Sequence, residues 1–83
     1  MKQKDKTDIK QRFGLAIRKR RHELALSQEE LSFRSELHRT YISDIERGSR
    51  NPSLENIAKL AKALEISVSH LFANYDIETE DSD

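Results

Sequence analysis

Residues 26–48 read LSQEELSFRSELHRTYISDIERG, and their spacing decides the fold. Ser27 followed by Glu30 is a capping box: the serine hydroxyl satisfies the Glu30 backbone N–H while the Glu30 carboxylate reaches back to the cap residue, so a helix starts at Gln28. That helix runs to about Ser35 and is poorly apolar, with Leu31, and less clearly Ser32 and Ser35, facing inward. Phe33 falls on the opposite side, about 200° round from Leu31, either partly exposed or against a partner. A second short helix follows from Ile42 and Ile45, with Leu37 just ahead and Gly48 where a helix commonly ends in the left-handed conformation. Two short helices joined by a tight connection are the centre of the chain.

The flanks read as support. Asp8 with Gln11 makes a second capping box, opening a helix near Ile9 whose apolar stripe runs through Ile9, Phe13, Ala16, Ile17 and Leu24. Gly14 inside it costs about 1 kcal/mol relative to alanine; either a close backbone approach requires it or the cost is tolerated. After Gly48, SRNPS is a loop, with Ser53 or Asn51 capping a fourth helix traced by Leu54, Ile57, Ala58, Ala61 and Leu64. Ser67 caps a short fifth helix carrying Val68, Leu71 and Phe72. No strand-period segment or repeat occurs, so the fold class is all-α, with five helices. The expected divisions are a flexible basic N-terminal segment at 1–8, a folded domain at 9–75 and a disordered acidic tail at 76–83.

Composition narrows the function. The 83 residues are 35% apolar and contain no cysteine, which excludes a disulfide framework, a thiolate ligand and a thiol nucleophile, and fits a reducing cytoplasm. No apolar run is long enough to span a membrane, and no apolar segment follows the Lys-rich start as a secretory signal would need. Net charge is zero, yet all five acids of residues 76–83 stand without a base, leaving the preceding chain with a surplus of five positive charges. His22, His38 and His70 are too scattered to ligate a metal, and neither HExxH nor CxxC occurs. With two glycines in the chain there is no phosphate-cradling loop, and there is no GxSxG elbow. The expectation is a protein that is not an enzyme, with no cofactor, metal or small-molecule substrate.

Chemistry concentrates on the helix that follows Leu37. A helix that reads DNA needs one apolar face to seat it and one face of donors and acceptors for base edges, concentrated near its amino end. Here Ile42 and Ile45 supply the first, and Arg39, Thr40, Ser43 and Asp44 the second. Arg39 suits guanine O6 and N7 in bidentate fashion, and Thr40 offers a methyl for thymine and a hydroxyl for a base edge. Gln28 at a helix start and Arg47, Ser49, Arg50 and Asn51 after the reading helix suit phosphate, and Ser27 and Tyr41 join that set. Two charges fall where burial is wanted. Arg21 continues the Phe13 and Ile17 stripe, and Glu46 lies beside Ile42 and Ile45, so the two are expected to meet as an ion pair.

Quoted whole, LSQEELSFRSELHRTYISDIERGSRNPSLENIAKLAKALEISVSHLF resembles the Cro and phage-repressor class of helix-turn-helix domains, over about residues 10–74. The distinguishing marks are Ser27-Gln28, the Ile42 and Ile45 pair ending in Glu46-Arg47-Gly48, and Asn51-Pro52-Ser53-Leu54. Within that class, His38-Arg39-Thr40-Tyr41-Ile42 with Glu46 to Asn51 is similar to the controller proteins of restriction-modification systems. The resemblance implies a five-helix lambda-repressor-like domain of bacterial or phage origin. It places Arg39, Thr40, Ser43 and Asp44 over the major groove and Gln28, Arg47 and Arg50 on phosphate. It further implies an Arg21–Glu46 pair and a homodimer through the fourth and fifth helices, with one or two dimers on an operator of inverted half-sites. Apolar residues expected in the dimer interface are Leu64, Ile66, Val68, Leu71 and Phe72. Two departures stand out: many members have glycine at Glu36, where positive φ is expected, and alanine at Ser32. A prophage-type repressor, an antitoxin-like autoregulator and a protein-interaction module that does not bind DNA remain open alternatives.

Overall fold

The computed structural model of the chain describes residues 8–78. Five helices follow in order: α1 Ile9–Glu23, α2 Gln28–Ser35, α3 Arg39–Glu46, α4 Leu54–Ala63 and α5 Val68–Asn74. Among the described residues there is no strand. Four starts are fixed by side chains. Asp8 and Ser27 form the two expected capping boxes, Ser53 accepts from the Asn56 N–H at 3.1 Å, and Ser67 from the His70 N–H at 3.0 Å. Asn51 is therefore not the cap of α4.

The helix ends share a device that only Gly48 and Glu36 announce in the sequence. Each helix is followed by, or ends on, a residue with positive φ: Ala25 (58°), Glu36 (63°), Gly48 (77°), Glu65 (58°) and Asp76 (59°). After α1, α3 and α4 the reversal is a Schellman motif. Leu26 N–H donates to Arg21 O, Ser49 N–H to Asp44 O and Ile66 N–H to Ala61 O, each at 3.0 Å. The apolar residue after the reversal then folds back on the core: Leu26 and Ile77 are buried and Ile66 is half-buried. Arg20 reinforces the end of α4, donating from Nε to Leu64 O at 2.9 Å and from Nη2 to Glu65 O at 3.2 Å.

α3 packs between α1 and α2, and α4 bridges α2 to α5. The centre holds Ile17, Leu31, Ile42, Ile45, Leu60, Leu64, Leu71 and Ile77, all essentially without solvent contact. Gly14 has a specific cause. A Cβ there would sit 2.2 Å from the Ile45 carbonyl oxygen and 2.7 Å from that of Glu46, so its absence lets α1 lie directly on the end of α3.

Three expectations change. Ile9, taken as the start of the α1 stripe, is half exposed, because the first turn of α1 extends past the core. On α4 and its cap the buried face is Leu60, Ala61, Ala63 and Leu64, while Leu54 is 79% exposed and Ala58 is exposed, so the buried face is rotated from the single stripe that the spacing traces. The folded region also passes residue 75. Ile77 is fully buried and its carbonyl accepts from Arg12 Nε at 2.6 Å, so one apolar residue anchors the start of the expected acidic tail. At the other boundary Asp8 belongs to the fold as a cap. Residues 1–7 and 79–83, where a flexible segment and a disordered tail were expected, lie outside the described residues.

Candidate nucleic-acid interface

α3 has two faces of opposite character. Inward, Ile42 and Ile45 enter the core, and Glu46 meets Arg21 in a bidentate pair: Nε donates to Oε2 at 2.7 Å and Nη2 to Oε1 at 2.9 Å. The Arg21 Nη1 donates to Leu26 O at 2.9 Å, and Gln28 Nε2 adds a bond to Glu46 Oε1 at 3.0 Å. Arg21 and Glu46 are 8% and 9% exposed, so the pair ties α1, the turn at Leu26, α2 and α3 together in a nearly dry site. Hydrogen bonding to Glu46 raises the Arg21 pKa against the opposing effect of desolvation, keeping the guanidinium charged.

The connection that sets the angle between α2 and α3 turns at Glu36, whose φ of 63° and ψ of 27° are left-handed. A residue bearing a Cβ thus takes the positive φ expected there, at a backbone cost of about 1–2 kcal/mol. His38 occupies the N-cap position of α3 and makes no side-chain capping bond. The first-turn N–H groups of α3 therefore have no acceptor from that cap, the condition under which a helix end favours an anion.

Outward, Arg39 and Thr40 are exposed and make no side-chain bond among the described residues. Ser43 and Asp44, expected beside them as base readers, are differently placed. Arg47 Nη1 donates to Ser43 Oγ at 2.9 Å, and its Nη2 pairs with Asp44 Oδ1. Arg50 Nε lies 3.6 Å from Asp44 Oδ2, and its guanidinium stacks over the Tyr41 ring at 4.9 Å. Ser43 and Asp44 of the expected reading set and Arg47, Arg50 and Tyr41 of the expected phosphate set are therefore joined in one surface cluster.

The remaining phosphate candidates divide by what their hydroxyls and amides already do. The Tyr41 hydroxyl accepts from Asn56 Nδ2 at 3.0 Å, leaving its own proton to donate outward. The Ser27 hydroxyl accepts from Glu30 N–H at 2.9 Å and likewise keeps its proton; the bond from Ser27 N–H is the main cause lowering the Glu30 pKa. Ser49 donates its proton to Asp44 O at 3.1 Å, closing α3, and Asn51 is exposed. Gln28 directs its amide inward to Glu46. Sequence reasoning missed Asn56, which orients Tyr41, and the second role of the capping residue Gln11, which packs within 3 Å of where a Gly48 Cβ would stand. No periodicity marks either, since both act through contacts distant in sequence.

The expected dimer residues also divide. Leu64 and Leu71 have no exposed surface and belong to the core of the single chain, so they cannot touch a second protomer in this packing. Val68 is exposed, and Ile66 and Phe72 are half-buried, Phe72 against Phe13 with ring centroids 5.9 Å apart. Among the described residues no group of His, Asp or Glu side chains is arranged to hold a metal ion, and no helix is long and apolar enough to cross a membrane.

Comparison with known proteins places this geometry. The Helix-turn-helix family model matches residues 17–71. Control protein C.BamHI of Bacillus amyloliquefaciens is 51% identical over 65 residues, 77% of this chain and 80% of that protein. Among solved structures, the restriction-modification controller protein C.AhdI from Aeromonas hydrophila superposes with a TM-score of 0.74 at 49% identity, over 76% of this chain and 96% of that one. C.Esp1396I bound to a 19 base pair DNA duplex superposes with a TM-score of 0.76 at 37% identity, over 81% and 89% of the two chains. The chain belongs to the helix-turn-helix family and, within it, to the control proteins of restriction-modification systems.

Proposed function

We propose that the chain is a sequence-specific DNA-binding transcription regulator, a homodimeric controller that acts on its own promoter region through an operator of inverted half-sites. The observation that carries this reading is the two-faced α3, whose inner side is sealed by Ile42, Ile45 and the Arg21–Glu46 pair while Arg39 and Thr40 stand exposed and unengaged at its uncapped start. The likeness to a controller bound to a DNA duplex supports it.

In this reading α3 enters the major groove, Arg39 takes guanine O6 and N7, and Thr40 meets a neighbouring base edge or thymine methyl. Arg47, Arg50, Tyr41, Ser27 and Asn51 lie against the flanking phosphates, where donors position the protein without reading sequence. A second copy joins through the exposed apolar groups of α4, α5 and the loop between them, with Leu54, Ile66, Val68 and Phe72 in place of the buried Leu64 and Leu71. Two recognition helices then address successive major grooves about 34 Å apart. The protein works by binding, without catalysis or cofactor, in the cytoplasm where its operator lies.

Binding-site selection followed by fluorescence anisotropy tests the reading. A recovered duplex with inverted repeats should bind tightly, with log Kd rising by about 0.9 per neutralised phosphate per tenfold increase in salt. Recovery of no sequence, and no binding to any duplex at low salt, overturns it in favour of an interaction module.

A further inference from the structure

Arg47 and Arg50 are the cations best placed for phosphate on the proposed reading, yet neither projects freely. The Nη1 and Nη2 groups of Arg47 both turn back onto α3, to Ser43 and Asp44, so the end of its fork that would grip a phosphate in bidentate fashion is occupied. Arg50 faces the other oxygen of the same carboxylate, with its guanidinium over the Tyr41 ring. Asp44 itself is four-fifths buried as a side chain, whereas the two arginines remain more than half exposed. The carboxylate is the fixed member of the cluster and the cations are the movable ones.

The position of Asp44 is not explained by the helix that carries it. It lies in the last turn of α3, where the exposed carbonyl ends of the helix disfavour a negative charge. The end of α3 is closed instead through the Asp44 backbone oxygen, which accepts from both the N–H and the hydroxyl of Ser49, and any residue at 44 supplies that oxygen.

We propose that Asp44 is a built-in competitor for DNA phosphate: its carboxylate occupies Arg47 and Arg50 in the free protein and must surrender them when the duplex arrives. This rests on the DNA-binding reading and adds to it a residue that sets affinity and salt dependence without touching a base. Asp44 thus leaves the base-reading set expected from sequence. Because the arginines are exposed, the pairs are weak enough for phosphates to displace, so the carboxylate lowers affinity without abolishing it. The physical consequence is a protein held on DNA less by its clamp and more by Arg39 and Thr40.

Asp44→Asn keeps the shape and removes the charge. Anisotropy titrations of wild type and Asp44→Asn, on a duplex recovered by selection and on a scrambled duplex of the same length, should show the variant binding both about three- to tenfold more tightly. Its log-log salt slope should steepen by up to about 0.9. Arg47→Ala should weaken binding more in the Asp44→Asn background than in wild type, because the arginine is then no longer shared; additive effects would mean that the gain is only one of net charge, and would overturn the proposal. So would unchanged affinity, weaker binding to both duplexes, which makes Asp44 a support that positions the arginines, or weaker binding to the selected duplex alone, which makes it a base reader. Thermal melts matching wild type exclude a folding defect; if Asp44→Asn melts low, Asp44→Ser replaces it in the same comparison. Wild type that binds neither duplex fails the DNA-binding reading itself, and the proposal with it.

Discussion

α3 carries two ionic clusters built from the same chemistry, arginine and carboxylate, on opposite sides of eight residues. The inner one, Arg21 with Glu46 and Gln28, is nearly dry, and its two ions satisfy each other in fork geometry. The outer one, Asp44 with Arg47 and Arg50, is wet on the arginine side and has one of its two links stretched to 3.6 Å. Solvent decides what each can do. In the inner cluster, loss of one partner strands a charge away from water, so the pair specifies how α1, α2 and α3 meet even though replacing both ions by apolar groups is often neutral. In the outer cluster either partner rehydrates at little cost, so the cations stay available to something else.

The sharpest way to break this contrast is Glu46→Ala, which should lower the unfolding free energy by about 3–5 kcal/mol in urea titration by leaving Arg21 buried and unpaired. The pair Arg21→Met with Glu46→Leu should recover most of it, and a double variant as unstable as the single one would mean that the geometry of the pair, rather than the stranded charge, carries the effect. Gly14→Ala comes next. The methyl would overlap the Ile45 and Glu46 carbonyl oxygens, so α1 and α3 must separate at a cost of about 3 kcal/mol. DNA affinity should fall with it if the seat of α3 matters to its outer face.

On the outer face the measured quantity changes from stability to binding. Arg39→Ala should leave the melting curve unchanged and cost about 1–3 kcal/mol of operator affinity, with relaxed preference at one base pair in a selection experiment. Between the two faces lies the turn. Glu36→Gly should stabilise the fold by about 0.5–1 kcal/mol, since the left-handed strain relieved exceeds the entropy that glycine adds to the unfolded chain; an unfolding midpoint that drops would show that the Glu36 side chain contributes more than its backbone costs.

The smallest effect concerns acid. The Tyr75 hydroxyl donates to Glu23 at 2.5 Å and holds that carboxylate below its usual range, with Arg20 adding to the shift. A depressed folded-state pKa gives stability that is complete above the unfolded value, about 4.3, and is lost as pH falls through the lowered one. Tyr75→Phe should therefore be less stable than wild type near neutrality, and the difference should shrink below about pH 4; a constant gap across that range would assign the loss to packing alone.

How much of this was legible in the sequence follows from the range of the interactions. Asp8 with Gln11 and Ser27 with Glu30 are caps across three residues, and both helix starts are where their spacing places them. Arg21 and Glu46 were legible as a pair because each stands alone as a charge on an apolar stripe, and burial leaves an arginine and a carboxylate few other solutions. Leu64 and Leu71 were misread as interface because apolar spacing marks a face as buried without saying whether its own chain or a second copy covers it. Ile77 was missed because a single apolar residue among acids has no period. The left-handed ends at Ala25, Glu65 and Asp76 left no glycine to find: the hydrogen bonds of the reversal at Ala25 and Glu65 and, after Ala25 and Asp76, the buried Leu26 and Ile77 hold the strain.

By itself, then, the sequence determined five helices, their order, and a short helix with a seat of isoleucines and an edge of Arg39 and Thr40, because caps and amphipathic periods act within a few residues. Tertiary structure decided the rest: why Gly14 must lack a side chain, that Gln28 serves Glu46, and that Asp44, within helical reach of Arg47, also faces Arg50. These are distances between groups, set by how α1 and the loop after α3 close on that helix, and no local pattern along the chain encodes them.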